Sequence, residues 1–190
     1  MIFFDGRNGR SFRQFLGARM ATSRAAAFAL RRVRLARLDL LPNELARLEE
    51  CRVLLGRLDA ETLAAPGLLN RAERGATRPP DIAALPSLHI AALLDMAASG
   101  RLHVRSAGLA SWDPDFSILC GADGADLLLL GSHQFNGGEP SEALTLSFGI
   151  ADASAIRAAS RHFEELWECG YDTLEAVTDA LCRARSTDEL

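Results

Sequence analysis

The chain predicts an α/β fold, a mixed central β-sheet flanked by helices, and three observations carry that expectation. Short apolar runs bounded by Gly, Pro or Asp recur along it, as buried strands do. Other segments repeat their apolar residues at helical spacing. The two kinds follow one another in mixed order, with a strand-rich stretch after Gly100 enclosed by helical ones. The 190 residues are 48% hydrophobic and 24% charged, an ordinary composition for one globular domain with a sizeable core.

The elements can be taken in order. In 11-SFRQFLGARMA-21, Phe12, Phe15, Leu16 and Met20 share one helical face, with Ser11 as cap. By periodicity the run that opens 25-AAAFALRRV-33 fits either a buried strand or a helix, and we favour a strand ending near Val33, followed by a turn. Asn43 is the expected N-cap of a helix over 44–51, with Leu45 and Leu48 inward, and 52-RVLLG-56 reads as a central strand stopped by glycine. Residues 65–81 are rich in Pro, Gly and Arg, and the adjacent Pro79 and Pro80 argue against regular structure there. A helix is predicted over 85–100, where Leu88, Ala92, Leu93 and Met96 form the apolar stripe and Gly100 the stop.

Strands follow over 101–108, 116–119, 127–130 and 143–150; in the first, Leu102, Val104 and Ser106 alternate with His103 and Arg105. Helices over 153–169, capped by Asp152 or Ser154, and 174–184 close the chain. The expected organisation is one domain over 1–190, with an N-terminal helical segment (1–24), a core (25–170) and a C-terminal helix (171–190).

No apolar run approaches the length of a membrane span, and the N-terminus lacks the pattern of a secretory signal, so a cytoplasmic protein without membrane association is expected. Cys51, Cys120, Cys169 and Cys182 are far apart and form no CxxC; with His89, His103, His133 and His162 they offer no zinc spacing, and no cofactor is expected. Four buried or half-buried thiols are the expectation. Charge is divided unevenly: residues 1–110 carry 17 Arg against 10 acidic residues, a net of +7, and residues 111–190 carry 4 Arg against 15, a net of −11. All 21 basic residues are Arg and none is Lys. Guanidinium favours flat bidentate contact with phosphate or carboxylate. The basic half therefore suits nucleic acid, through Arg7, Arg10, Arg13 and Arg19 near the start and Arg71, Arg74 and Arg78 in the Pro/Gly-rich stretch, or else the acidic half of a second subunit.

The second half has a further pattern. The apolar run 127-LLLL-130 leads into 131-GSHQFNGGEP-140, then Glu142 on a strand, then a helix with 163-FEELW-167. This order resembles one HKD-type half of the phospholipase D superfamily, in which HxKxxxxD is followed by an apolar strand entering GSxN, an acidic residue and a Phe-x-x-x-Trp helix. The segment 25–56 is similar to that family's opening strand–helix–strand unit. The resemblance implies the PLD-like fold and a homodimer, since one half normally pairs with another. It puts Asp113, Asp115 and Cys120 at the His, Lys and Asp positions of the motif, and Gln134 at the Asn position. In that family one His attacks phosphorus, a second protonates the leaving group, and Lys and Asn hold the nonbridging oxygens. Here the nucleophile and the cation are both missing, so that mechanism is expected to be absent.

The resulting expectation is a catalytically inactive, dimeric PLD-like binding or scaffolding module in a nucleic-acid-processing system. DNA, RNA or a protein such as a nuclease or helicase would be its partner. Ser132, His133, Gln134 and Glu142 would form a remnant anion pocket. One alternative is a metal-dependent phosphodiesterase, with Asp113, Asp115 and Glu142 as oxygen ligands for Mg²⁺ or Mn²⁺ and His133 as general base. Another is a purely protein-binding assembly subunit anchored by Trp112 or Phe135, with Trp167 in the core beside Phe163.

Overall fold

In the computed structural model the described residues are 2–4, 9–30, 42–56, 87–107, 115–131 and 147–188; side chains are described within 14–30, 44–56, 91–107, 115–131 and 149–182. The elements are β1 (Ile2–Phe4), α1 (Gly9–Met20), β2 (Ser23–Leu30), α2 (Pro42–Leu45), β3 (Glu50–Leu55), α3 (Ser87–Ala98) and β4 (Leu102–Ser106). They continue with β5 (Phe116–Gly121), β6 (Leu127–Gly131), β7 (Ser147–Ile150), α4 (Ala153–Cys169), β8 (Tyr171–Asp172) and α5 (Leu174–Asp188). The strands form one sheet of order β1-β7-β6-β5-β2-β3-β4-β8. β2, β3 and β4 run parallel, and every other pairing is antiparallel. The mixed sheet expected from sequence is therefore present.

Burial explains the strand patterns. β2 lies mid-sheet between β3 and β5, and Ala26 to Leu30 are all buried. A strand covered on both faces has no reason to alternate, which is why it reads as a continuous apolar run. Nearer the edge, β4 buries Leu102, Val104 and Ser106, while His103 is exposed and Arg105 half-buried on the opposite face, as the alternation predicts.

The sheet separates two apolar clusters. On one face Ala26, Phe28 and Leu30 of β2, Cys51 and Leu55 of β3 and Leu127 and Leu129 of β6 meet Leu16 and Met20 of α1, Leu45 of α2, Leu93 and Met96 of α3 and Val177 and Leu181 of α5. On the other, Ala27, Ala29, Leu54, Phe116, Ile118 and Leu128 meet Ile156 and Phe163 of α4. Cys51 lies inside the first cluster, where burial, with help from Glu50, pushes its thiol up to about 12.

α4 has the expected limits. Asp152 Oδ1 accepts the backbone N–H of Ser154 at 3.0 Å and of Ala155 at 2.9 Å, satisfying donors that the first helical turn leaves free. The Ser154 hydroxyl and these amides hold the Asp152 carboxyl below its ordinary range. At the end of α3, Gly100 has φ +69°, a left-handed conformation that suits glycine.

Some expectations change. The helix placed at 44–51 is only Pro42–Leu45, with Asn43 inside it rather than capping it. Glu50 and Cys51 instead begin β3, because parallel pairing with Ala25 and Ala26 of β2 outweighs the local helical spacing of Leu45 and Leu48. The first 24 residues carry β1 and the start of β2 as well as α1, and a two-residue strand, β8, precedes the last helix, which runs to Asp188. Cys51 is buried and Cys120 half-buried, but Cys169 and Cys182 are exposed on outward faces of α4 and α5. Trp167 is half-buried, stacked on Phe163 at 5.5 Å and packed against the second cluster, with Arg52 and Arg105 over its ring. The stretch 65–81, expected as a loop or a short broken helix, and the strand residues 31–33 and 143–146 lie outside the described residues. No helix among the described residues is long and apolar enough to cross a membrane.

Candidate functional site

The parallel strands end together: Leu30 pairs with Leu55, and Leu55 with Ser106. In open α/β sheets the carboxyl ends of parallel strands are where ligands gather. β5 starts at this edge, with Phe116 beside Ala29, and β6 ends there at Gly131. β7 starts there with Ser147, and β1 ends there with Phe4. The stretches after Leu30, Gly56, Ala107 and Gly131 thus all depart from one edge.

Asp115 directly precedes β5, and its carbonyl accepts the Gly131 N–H at 3.0 Å. This bond fixes the position that the family resemblance assigns to lysine beside the first residue of the GSHQ turn. Gly131 has φ +128°, a region that side chains rarely enter, so the strand-to-turn change at this point calls for glycine.

Cys120 is not part of this corner. It pairs with Ala25 near the far end of β5, four residues from Phe116, a separation of roughly 14 Å along an extended strand. Its thiol is pushed up first by burial and then by the Asp126 charge, against the opposing pull of Arg24 and Arg52. It stays a neutral thiol and supplies no carboxylate.

The other candidates divide as follows. Asp113, Ser132, His133, Gln134 and Glu142, with Trp112 and Phe135, lie outside the described residues, as do Arg7, Arg71, Arg74 and Arg78. Arg10 and Arg13 fall in the first half of α1, which begins five residues after Phe4 at the shared edge. Arg19 falls near the other end of α1, with its guanidinium 5.8 Å from the centre of the Phe15 ring. Among the described residues no group of three or more His, Cys, Asp or Glu is placed to hold a metal ion.

A polar cluster beside this edge was not foreseen. Arg52 on β3 donates to both carboxylate oxygens of Glu164 on α4, at 2.9 and 2.7 Å. Its guanidinium lies 5.1 Å from the Phe163 ring centre and 5.5 Å from that of Trp167. The Glu164 hydrogen bonds are the main reason the Arg52 pKa is raised further. Arg105 on β4 donates to the Trp167 carbonyl at 2.8 Å and stacks on its ring at 5.1 Å. His162 stacks on Phe116 at 6.0 Å, next to Asp115 in the chain. The available signal was the pairing of 163-FEELW-167 with outward arginines on alternating strands.

Comparison with known proteins gives a likeness of structure. No family model matches the sequence, and no curated protein matches it significantly. Among solved structures, Nuc from Salmonella typhimurium, a phospholipase D family member, superposes with a TM-score of 0.52 at 15% identity, over 90% of this chain and 96% of its own. NucT from Helicobacter pylori gives 0.51 at 8% identity, over 90% of this chain and 100% of its own. Phosphatidylserine synthase from Haemophilus influenzae Rd KW20 gives 0.52 at 14% identity; the match covers 99% of this chain but 45% of the synthase. The chain shares the fold of these three proteins, one of them a phospholipase D family member, and at these identities the likeness establishes the fold alone.

Proposed function

We propose that this phospholipase D-type domain binds nucleic acid without cleaving it, working as a homodimer within a nucleic-acid-processing system. The observation that carries the reading is the Asp115–Gly131 backbone bond. It sets Asp115, the residue that the resemblance aligns with the lysine, beside the start of the 131–134 turn, in a chain that contains no lysine. An ionised carboxylate about 4 Å from a phosphate costs roughly 1–4 kcal/mol at partly solvated dielectrics, where the family's lysine would attract it. Alignment puts a second carboxylate, Asp113, at the histidine position, so nucleophilic attack has no agent there. A remnant anion pocket in the 132–134 turn and Glu142 belongs to the same proposal.

Placement supports the nucleic-acid reading. α1 begins shortly after Phe4, on the candidate edge, and carries Arg10 and Arg13 in its first half. Arginines that neutralise phosphates release counterions, so binding weakens steeply as salt rises. The test is binding to labelled DNA and RNA at two salt concentrations, with cleavage scored in the same tubes with and without Mg²⁺ or Mn²⁺. The expected result is salt-sensitive binding, intact nucleic acid, and weaker binding in the Arg71→Ala/Arg74→Ala/Arg78→Ala variant. Metal-dependent cleavage that Asp115→Ala abolishes would overturn inactivity. Absence of binding at low salt would overturn the nucleic-acid reading and leave a protein partner.

A further inference from the structure

The proposed function leaves one side chain of the candidate edge unused, His162. Phe163, 1% exposed, is the residue by which this part of α4 meets the sheet. At 3.6 residues per turn, the neighbours of a residue that faces the sheet lie on opposite flanks of the helix. Glu164, on one flank, meets Arg52, which is level with Ala27 and, through it, with Ile118. His162, on the other flank, stacks on Phe116 with ring centres 6.0 Å apart. Phe116 opens β5, two residues nearer the edge than Ile118, and directly follows Asp115. The Glu164 flank therefore looks back along the strands. The His162 flank looks toward the edge where β5 starts and β6 ends.

The imidazole is open to solvent, with 51% of the side chain exposed, and its Nδ1 lies 3.8 Å from Glu165 Oε2. Few charged groups surround it. α4 itself supplies Glu165 and Arg161, and Asp115 precedes the strand beneath. β6, which also packs against α4, contains no titratable residue. Arg52 and Glu164 are on the far flank and are paired with one another. Imidazole is the side chain whose ordinary titration falls between about pH 5 and 8. With the ring neutral, His162 and Glu165 together carry a full negative charge; with the ring protonated they carry none. The stack on Phe116 holds either form, because a cation over an aromatic face is attracted to it.

We infer that His162 makes nucleic-acid binding at this edge depend on pH: its protonated ring offsets the Glu165 charge and donates to a phosphate oxygen. The inference rests on the nucleic-acid reading above and adds a residue to that site. Its sign follows from charge alone. A phosphate binds more tightly to the state with one more positive charge, so affinity rises as pH falls.

The test is affinity for labelled DNA and RNA at constant low salt, at about pH 5.5 and about pH 8, on either side of the imidazole titration. The wild type is expected to bind roughly three- to tenfold more tightly at the lower pH, the scale of one unit charge near a phosphate in partly solvated surroundings. His162→Phe keeps a ring on Phe116 and removes the titration. It should bind as the wild type does at the higher pH and gain nothing at the lower. His103→Gln changes an exposed histidine of β4 that is level with Arg52 rather than with the edge, and it should keep the gain. A gain that survives in His162→Phe, or a wild type without one, overturns the inference and leaves the nucleic-acid reading standing. Absence of binding at both pH values overturns the two together.

Discussion

The two faces of the sheet are closed by different means. One lies under α1, α2, α3 and α5, and its contacts are apolar almost throughout: Met20, Leu45, Leu48 and Met96 have no exposed surface. The other lies under α4, a helix of 17 residues that buries only Ile156 and Phe163. What α4 lacks in apolar contact it makes up with Arg52, which forks onto Glu164 and lies over Phe163 and Trp167, and with Arg105, which donates to the Trp167 carbonyl and stacks on its ring. An apolar face resists salt and local opening alike, whereas a face held partly by charge is exposed to both. The first face is therefore expected to carry the cooperative stability of the domain, and α4 on the second to open ahead of it.

The strongest test of this contrast compares two buried rings. Phe28, 1% exposed, belongs to the first face and Phe163, 1% exposed, to the second. Each change to alanine should cost about 3–5 kcal/mol if the lost contacts belong to one cooperative unit. For Phe28→Ala the expectation is the full loss, read as a lower urea midpoint with protection from hydrogen exchange falling across the whole sheet. Phe163→Ala should instead raise exchange in α4 first while β2 and β3 stay protected. Identical exchange patterns in the two variants would remove the distinction.

A smaller effect comes from Arg52→Ala. The pair is partly open to solvent, with side-chain exposures of 27% and 48%, so its loss should cost only about 1 kcal/mol once screening is allowed for. The informative readout is salt: wild-type α4 should exchange faster as salt rises, and the variant should lose that dependence. The smallest effect sharpens the first face. Ser117 is fully buried, and its hydroxyl has no hydrogen-bond partner among the described residues. An unsatisfied buried hydroxyl is a cost, so Ser117→Ala should be neutral or stabilising by up to about 1 kcal/mol in thermal unfolding. A clear loss of stability would mean that the hydroxyl is satisfied after all.

The same contrast explains what could be read from the sequence. α4 was placed to the residue, because Asp152 caps one end and Gly170 follows the other, and both signals are local. The strands β2, β5 and β6 were legible as apolar runs for the same reason. The segment 44–51 misled because Leu45 and Leu48 keep helical spacing, while the preference of Glu50–Leu55 for β3 comes from β2 and β4, which are distant in sequence. β1 and β8 are too short for any periodicity to show. At the candidate site, the resemblance assigned Asp115 and Cys120 their motif positions, but the Asp115–Gly131 bond and the distance of Cys120 from that corner needed the strands themselves. The Arg52–Glu164–Trp167 cluster escaped notice because its members come from separate strands and a helix.

The strand order also has a consequence during synthesis. β1 is made first, yet Ile2 pairs with Gly149 and Phe4 with Ser147. Ribosomes add about 5–20 residues per second, so this apolar segment waits several seconds or more for its only neighbour in the sheet. β2 is next, and it waits on one side for β5. Such long-range pairings close slowly. Until they close, the nascent chain carries unpaired strand edges, which are what chaperones bind and neighbouring chains invade.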